Sequence, residues 1–243
     1  MIIPSRQQII PKMNLSVIIP TLNEREQLPL TIERLRASSA NLEIIIADGG
    51  SHDGTREWLD SQPDIIVINS ERGRGKQQNV GAKIAVGDVL LFLHADCLLP
   101  INFFQLIQHS LANSETCGGA FQIQFDTDFR SMNIIAAGIN ARTRVTKTAT
   151  GDQVIFVRRE IFEAIGGFEN WLLFEDVKLV SEIKRHGAFK IINEKVIISA
   201  RRYLNFGPWR TTFLMYALRL GYWLGVHPDK LFQWFQDVRP HLK

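Results

Sequence analysis

Four short apolar runs, each followed by a polar tip and an amphipathic stretch, limit this chain to few folds. They are Leu15–Pro20, Leu42–Asp48, Ile65–Asn69 and Val89–Leu93. Runs of this length, rich in Ile, Val and Leu, read as strands buried within a sheet. Pro20 ends the first because proline cannot continue a hydrogen-bonded ladder. Between the runs, Thr21-Leu22-Asn23-Glu24 has the spacing of a capping box and is expected to open a helix reaching about Ala37. Thr55–Asp60 and Lys76–Ala85 read as two further helices. The resulting βαβαβαβ order predicts an α/β class with a Rossmann-like, mostly parallel sheet and helices on both faces. Sheets of this kind bind ligands beyond the carboxyl ends of their strands. The polar clusters Thr21–Glu24, Asp48–Asp53 and His94–Asp96 all fall at such ends, so they are expected to share one cleft.

Beyond Pro100 the pattern is looser. Ile101–Asn113, Ser131–Thr146 and Glu175–His186 read as helices, and Gly119–Phe125, Val154–Arg158 and Ile191–Ala200 as strands. Trp209–Trp223 and Pro228–Asp237 read as two closing helices. A hydrophobic fraction of 45% and a charged fraction of 22% exclude a disordered chain, a collagen-like repeat and a polytopic membrane protein. The net charge of +3 gives no case for nucleic acid, which needs clustered charge. Charge is uneven, however: residues 200–243 carry +5 and 10 of the 23 aromatic residues, while the rest of the chain sums to −2. This basic, aromatic segment argues for a separate task. The expected organisation is an extension over 1–13, a main domain over 14–205 and an amphipathic helical tail over 206–243. The first 14 residues, broken by Pro4, Arg6 and Pro11, do not read as a signal peptide. Cys97 and Cys117 form no C-x-x-C pair and are expected to be free thiols in a reducing cytosol.

Several spots carry chemistry, each with a plainer structural account beside it. In Asp48-Gly49-Gly50-Ser51, a carboxylate can accept a hydrogen bond from a base N–H while glycine admits close approach; the same residues suit a simple capped turn. Arg72-Gly73-Arg74-Gly75-Lys76 at a helix start suits a diphosphate, or is a solvated basic loop. The carboxylate of Asp96, with His94 two residues before it, suits a hard divalent ion that also holds phosphate oxygens, or a helix cap. Glu175-Asp176 supplies either a general base or acids that complement a helix dipole. Gly151-Asp152-Gln153 is an acceptor-binding loop or a turn, and Arg201-Arg202-Tyr203 a phosphate site or plain surface.

Taken together, these elements resemble the family 2 glycosyltransferases of the GT-A fold. The likeness rests on Val17-Ile-Ile-Pro-Thr-Leu-Asn-Glu24, Ile46-Ala-Asp-Gly-Gly-Ser-His-Asp-Gly54, Gly73-Arg-Gly-Lys-Gln-Gln-Asn79, Leu91-Phe-Leu-His-Ala-Asp96, Gly166-Gly-Phe168 and Glu175-Asp176. It covers roughly residues 14–200. The sequence is similar in particular to a compact bacterial branch carrying Gly-Asp-Gln, Ala-Arg-Arg-aromatic and Tyr-Trp-Leu-Gly-Val, here at 151–153, 200–203 and 222–226. The resemblance implies transfer of a sugar from a nucleotide-sugar donor to an acceptor hydroxyl, usually with inversion. It implies that Pro20, Thr21, Asn23, Glu24, Asp48, Gly49, Ser51, Arg74, Lys76 and Asn79 bind the nucleotide sugar, with Arg74 and Lys76 at its phosphates. It further implies that Asp96, with His94, holds Mn²⁺ or Mg²⁺, that Gly151, Asp152 and Gln153 face the acceptor, and that Asp176, beside Glu175, is the catalytic base. Two departures stand out: His94 replaces the first Asp of the family's Asp-x-Asp, and Gln78 stands where many relatives carry Arg.

The tail has two readings. A basic, Trp- and Phe-rich helix can lie in a bilayer surface at the inner face of the membrane, which suits a lipid-linked acceptor; alternatively it packs on the body or on a second copy in a homodimer. Trp209–Val226 falls short of the ~20 uninterrupted apolar residues of a spanning helix. Competing functions are a sugar nucleotidyltransferase, which usually has a Gly-rich, Lys-bearing loop after its first strand, and a nucleotide-binding peripheral membrane module weakened in catalysis by His94.

Overall fold

The structure, a computed structural model, describes residues 13–38 and 40–238. Residues 1–12, which hold most of the expected extension, lie outside the described residues. One sheet organises the chain. Its eight strands are β1 (Leu15–Thr21), β2 (Leu42–Asp48), β3 (Ile65–Asn69), β4 (Val89–Phe92), β5 (Cys97–Leu98), β6 (Thr116–Phe125), β7 (Ile155–Arg158) and β8 (Ala188–Ile198). They lie in the order β3-β2-β1-β4-β7-β6-β8-β5. The β3-β2-β1-β4 half is wholly parallel, as the four apolar runs predict. The other half is mixed: β7 runs antiparallel to both β4 and β6, β6 and β8 run parallel, and β5 pairs antiparallel with β8.

Period-two alternation explains why both faces of the sheet are covered. Leu15, Val17 and Ile19 of β1 join Val89 and Leu91 of β4 in one core, while Ile18 of β1 joins Leu90 and Phe92 in the other. The covering helices are α1 (Leu28–Arg36), α2 (Thr55–Asp60), α3 (Arg74–Ile84), α4 (Phe103–Ser110), α5 (Arg130–Thr146), α6 (Arg159–Ile165) and α7 (Glu175–His186). Three more close the described chain: α8 (Arg201–Phe206), α9 (Pro208–Trp223) and α10 (Pro228–Val238). The tail rests on the body through a third, small apolar cluster of Phe174, Val177, Leu218 and Leu231.

One expectation from the sequence is corrected here. Thr21–Glu24 is not a capping box: Thr21 still belongs to β1, and α1 begins only at Leu28, after an N-cap Gln27 that makes no side-chain cap. Asn23 instead takes a left-handed backbone (φ 57°), which asparagine tolerates, and its side chain bonds to another loop. The segments α6, α8 and β5 were not separable by pattern, being short and packed against larger elements.

Candidate functional site

At the carboxyl edge of the sheet the tips of β1, β2 and β4 stand side by side. Thr21 is in register with Asp48, and Leu93 N donates to Ile18 O at 3.0 Å. A hydrogen-bonded lattice then joins the first two tips. Asn23 N donates to Ser51 Oγ (2.9 Å), His52 N to Asn23 Oδ1 (2.9 Å), Glu24 N to Thr55 Oγ1 (3.1 Å) and Arg25 N to Asp53 Oδ2 (3.1 Å). From beneath, the buried Gln77 amide donates to Thr21 O and Ala47 O at 2.9 and 2.8 Å. The Asp48 carboxylate is buried and accepts from Gly50 N, Ser51 N and Ser51 Oγ. Asp48, Gly49, Ser51 and Asn23 thus build a rigid rim beside the cleft.

The cleft itself has two communicating lobes. The smaller, about 270 Å³, is lined by Pro20, Glu24, Arg74, His94 and Asp96 and roofed by α8. Burial first, then the charge of Asp96 on the same lobe, raises the Glu24 pKa. The ligating atoms of His94, Asp96 and Cys97 lie within 4.8 Å of one another, the one such group found among the described residues. The donor set suits a hard divalent ion only through its oxygen: Asp96 is half-buried and fits, whereas burial pushes the Cys97 thiol well up and keeps it a protonated, soft donor. His94 is engaged elsewhere, its Nδ1 lying 3.0 Å from Asp152 Oδ1. An ionised Asp152 accepts that bond. Burial opposes its charge, but the His94 bond, with Arg202 and Arg74 beyond it, holds its pKa well below the usual carboxylate range.

The larger lobe, about 500 Å³, brings Thr21, Glu24, Arg74, Asp152, Glu175 and Asp176 to one wall. Asp176, half-buried at the start of α7, accepts from Gly151 N at 2.6 Å and from its neighbour Val177 N at 2.6 Å. Gly151 has to be glycine: a Cβ there would stand 2.7 Å from His94 Nε2. One chain of contacts therefore runs from Asp176 through the Gly151–Asp152 loop to His94. Gln153 is fully buried and its amide is spent on the fold, accepting from Thr143 Oγ1 and Thr150 N and donating to Phe121 O. The next residue, Val154, and Phe174 before α7 both have positive φ (52° and 65°), unusual for such side chains, so the two segments meeting at Asp176 are held under strain. Burial and then the neighbouring Asp176 push the Glu175 carboxyl up to about 7, against the pull of Arg74. Arg74 is exposed on the first turn of α3, and the carboxylates of Asp152, Glu175, Asp176 and Asp96 raise its pKa.

Two residues expected to bind the nucleotide sugar make their contacts elsewhere. Lys76 Nζ bonds to Glu71 at 2.7 Å on the outer surface. Asn79 spends both ends of its amide on the backbone of Phe168 (2.8 Å each), and Gly167 leaves no room for a side chain there, since a Cβ would meet Asn79 Oδ1 at 2.5 Å. Asn79 positions the Gly-Gly-Phe turn beside Gly75 instead of facing a ligand. Sequence reasoning also passed over Gln77, Arg142 and Arg219. The last had a visible signal: it is the one charged residue in the apolar run Phe213–Trp223 of α9, and it is 9% exposed.

A family model described as glycosyl transferase family 2 matches residues 16–166. Among curated relatives, an undecaprenyl-phosphate 4-deoxy-4-formamido-L-arabinose transferase of Pectobacterium atrosepticum is 33% identical over 131 residues, 49% of this chain and 40% of the relative. An undecaprenyl-phosphate mannosyltransferase of Micrococcus luteus is 44% identical over 93 residues, 35% of this chain and 38% of the relative. The chain spans half or less of the length of the first curated relatives it matches. Among solved structures, the mannosyltransferase PcManGT from Pyrobaculum calidifontis, in complex with GDP-Man and Mn²⁺, superposes with a TM-score of 0.68 at 20% identity, covering 86% of this chain and 63% of that one. TarS of S. aureus, in complex with UDP, gives 0.61 at 18% identity, covering 77% and 60%. These neighbours share the expected GT-A fold.

Proposed function

The chain belongs to glycosyl transferase family 2, and from that premise we propose that it transfers a sugar from a nucleotide-sugar donor to an acceptor hydroxyl by a single inverting displacement. One observation carries the reading: Asp176 is fixed by two backbone N–H bonds on the wall of the larger lobe, which shares Glu24 and Arg74 with the smaller lobe that holds Asp96. The nucleotide lies along the rim of Asp48 and Ser51, and the diphosphate in the smaller lobe. As the acceptor oxygen bonds to the anomeric carbon, the bond from that carbon to the diphosphate breaks and the hydroxyl proton passes to Asp176. Arg74 faces the charge that develops on the diphosphate. Asp96 is the residue that would hold Mn²⁺ or Mg²⁺, which supplies further charge neutralisation there.

Two of the relatives are named as undecaprenyl-phosphate transferases, which favours an acceptor linked to a lipid. The tail supports delivery from a bilayer surface. Trp209, Phe213, Leu220 and Trp223 follow one another at four, seven and three residues, which places them on one side of α9, and all are exposed. No helix among the described residues is long and apolar enough to cross a membrane, so the tail would lie on the surface.

A thermal-shift screen of UDP-, GDP-, CMP- and TDP-sugars, with and without Mn²⁺ or Mg²⁺, tests the donor. A ligand at 100 times its Kd stabilises the folded state by about 2.7 kcal/mol. One nucleotide class should stand out; no shift with any of them would remove the proposal. Release of pyrophosphate from a nucleoside triphosphate and a sugar phosphate would favour a nucleotidyltransferase instead.

A further inference from the structure

The end of the larger lobe away from the strand tips contains an arrangement that the transfer chemistry leaves unused. Arg142 of α5 and Arg219 of α9 both line it, on two helices packed against each other. Neither takes part in an ion pair among the described residues. Arg142 Nε is buried with no hydrogen-bond partner, and the only hydrogen bond shown for its side chain is a long one, 3.4 Å, to Thr143 Oγ1. Burial, and for Arg142 the repulsion of Arg219, lowers the pKa of both guanidinium groups, that of Arg142 to about 10. The one carboxylate whose charge acts on both arginines, Asp176, accepts from Gly151 N and Val177 N and forms no ion pair with either of them. Tyr203 and Tyr216 lie within electrostatic reach of both arginines. Around this polar patch the lobe is apolar, walled by Ile139, Leu173, Met215, Phe232 and Phe235.

A buried guanidinium, Arg219, beside a half-buried one, Arg142, with donors unspent, is costly unless something negative completes the pair. Paired arginines offer forked N–H donors that match phosphate oxygens. We propose that Arg142 and Arg219, with Tyr203 and Tyr216, form an anion subsite that seats a phosphate group on the acceptor, whose apolar part lies between α9 and α10. This rests on the reading of the larger lobe as the acceptor side. It adds the chemical class of the acceptor and the residues that select it. Elsewhere the lobe carries four carboxylates, Glu24, Asp152, Glu175 and Asp176, against two cations, Arg74 and Arg202, so the charge of an anionic acceptor is drawn to Arg142 and Arg219 and away from Glu175 and Asp152.

Calorimetric titration with octyl phosphate, inorganic phosphate and 1-octanol tests the subsite, with Arg142→Gln and Arg219→Gln as variants. Octyl phosphate should bind saturably, each substitution should weaken it by about tenfold to a hundredfold, and neither should alter nucleotide-sugar affinity. Octyl phosphate binding at least tenfold tighter than inorganic phosphate assigns the site to an amphiphile; equal affinity assigns it to a hydrophilic phosphate ester. In the wild-type protein, phenylglyoxal labelling mapped by mass spectrometry should show Arg142 and Arg219 protected by octyl phosphate, which needs no variant to fold. Absence of saturable phosphate binding, binding that survives both substitutions, or unprotected arginines would each overturn the subsite. Phosphate binding at the arginines in a protein that binds no nucleotide sugar would remove the glycosyltransferase reading and leave the subsite standing.

Discussion

β1 withdraws Leu15, Val17, Ile18 and Ile19 from water almost completely, whereas α9, with more than twice as many residues, buries only Thr211, Leu218 and Arg219. The strand lies in the middle of a sheet with helices on both sides, so each pleat meets a partner whichever way it points. The helix lies outside that assembly, so one stripe meets the body and the opposite stripe, Trp209 to Trp223, meets solvent. The same apolar content therefore has different meanings. In the sheet it holds the fold together. In the tail it is surface available to another phase, and the one charge it buries faces a cavity. Catalysis is expected to depend on the first region, and acceptor delivery on the second.

The sharpest break of that comparison would come from Asp176→Asn. With a positioned base lost, turnover should fall by ~10²–10⁴-fold while donor affinity holds. A near-wild-type rate, measured with saturating donor and acceptor, would end the base assignment. Next, Phe92→Ala in the sheet should cost about 3–5 kcal/mol in denaturant unfolding, because Phe92 packs on Phe162 and Phe168 with ring centroids 5.1 and 4.8 Å away. A loss no larger than that of a tail substitution would erase the distinction between the regions.

Glu175 gives a smaller, pH-dependent effect. Its folded pKa is pushed up to about 7 from an ordinary 4.5, so the folded state holds that proton more tightly than the unfolded chain. Its contribution is fully present below about pH 4.5 and is lost as the pH rises through about 7. Glu175→Gln should flatten that part of the stability–pH curve and exceed the wild type above pH 7 by on the order of 2–3 kcal/mol. Parallel curves for the two proteins would contradict the shift. The smallest effect on stability belongs to Phe213→Ala, at a site 77% exposed: within about 0.5 kcal/mol. Its affinity for anionic vesicles should nevertheless drop about tenfold in a sedimentation assay. Unchanged vesicle binding, or a monomer–dimer shift in its place, would give the stripe to a second copy.

The strands of the parallel half, α2 and α7 were legible in the sequence almost to the residue, because each is set by a local pattern: an apolar run, a turn, a charged first turn. The first loop was misread for a related reason. Thr21-Leu22-Asn23-Glu24 has the spacing of a cap, but Ser51, Asp53 and Thr55 from another loop claim its backbone donors before a helix can begin. Asn79 shows the same limit: its neighbours in sequence say phosphate, while its contact 89 residues away says turn.

By itself, then, the sequence determined the parallel half-sheet, the polar strand tips and the carboxylates of the cleft, since periodicity and composition act over a few residues. Only the tertiary structure decided which polar groups were consumed by the fold and which were left for a ligand. Hydrogen-bond partners and burial depend on chain segments far apart in the sequence, and so Asn79 and Gln153 became positioning residues while Arg142 and Arg219 were left facing a cavity.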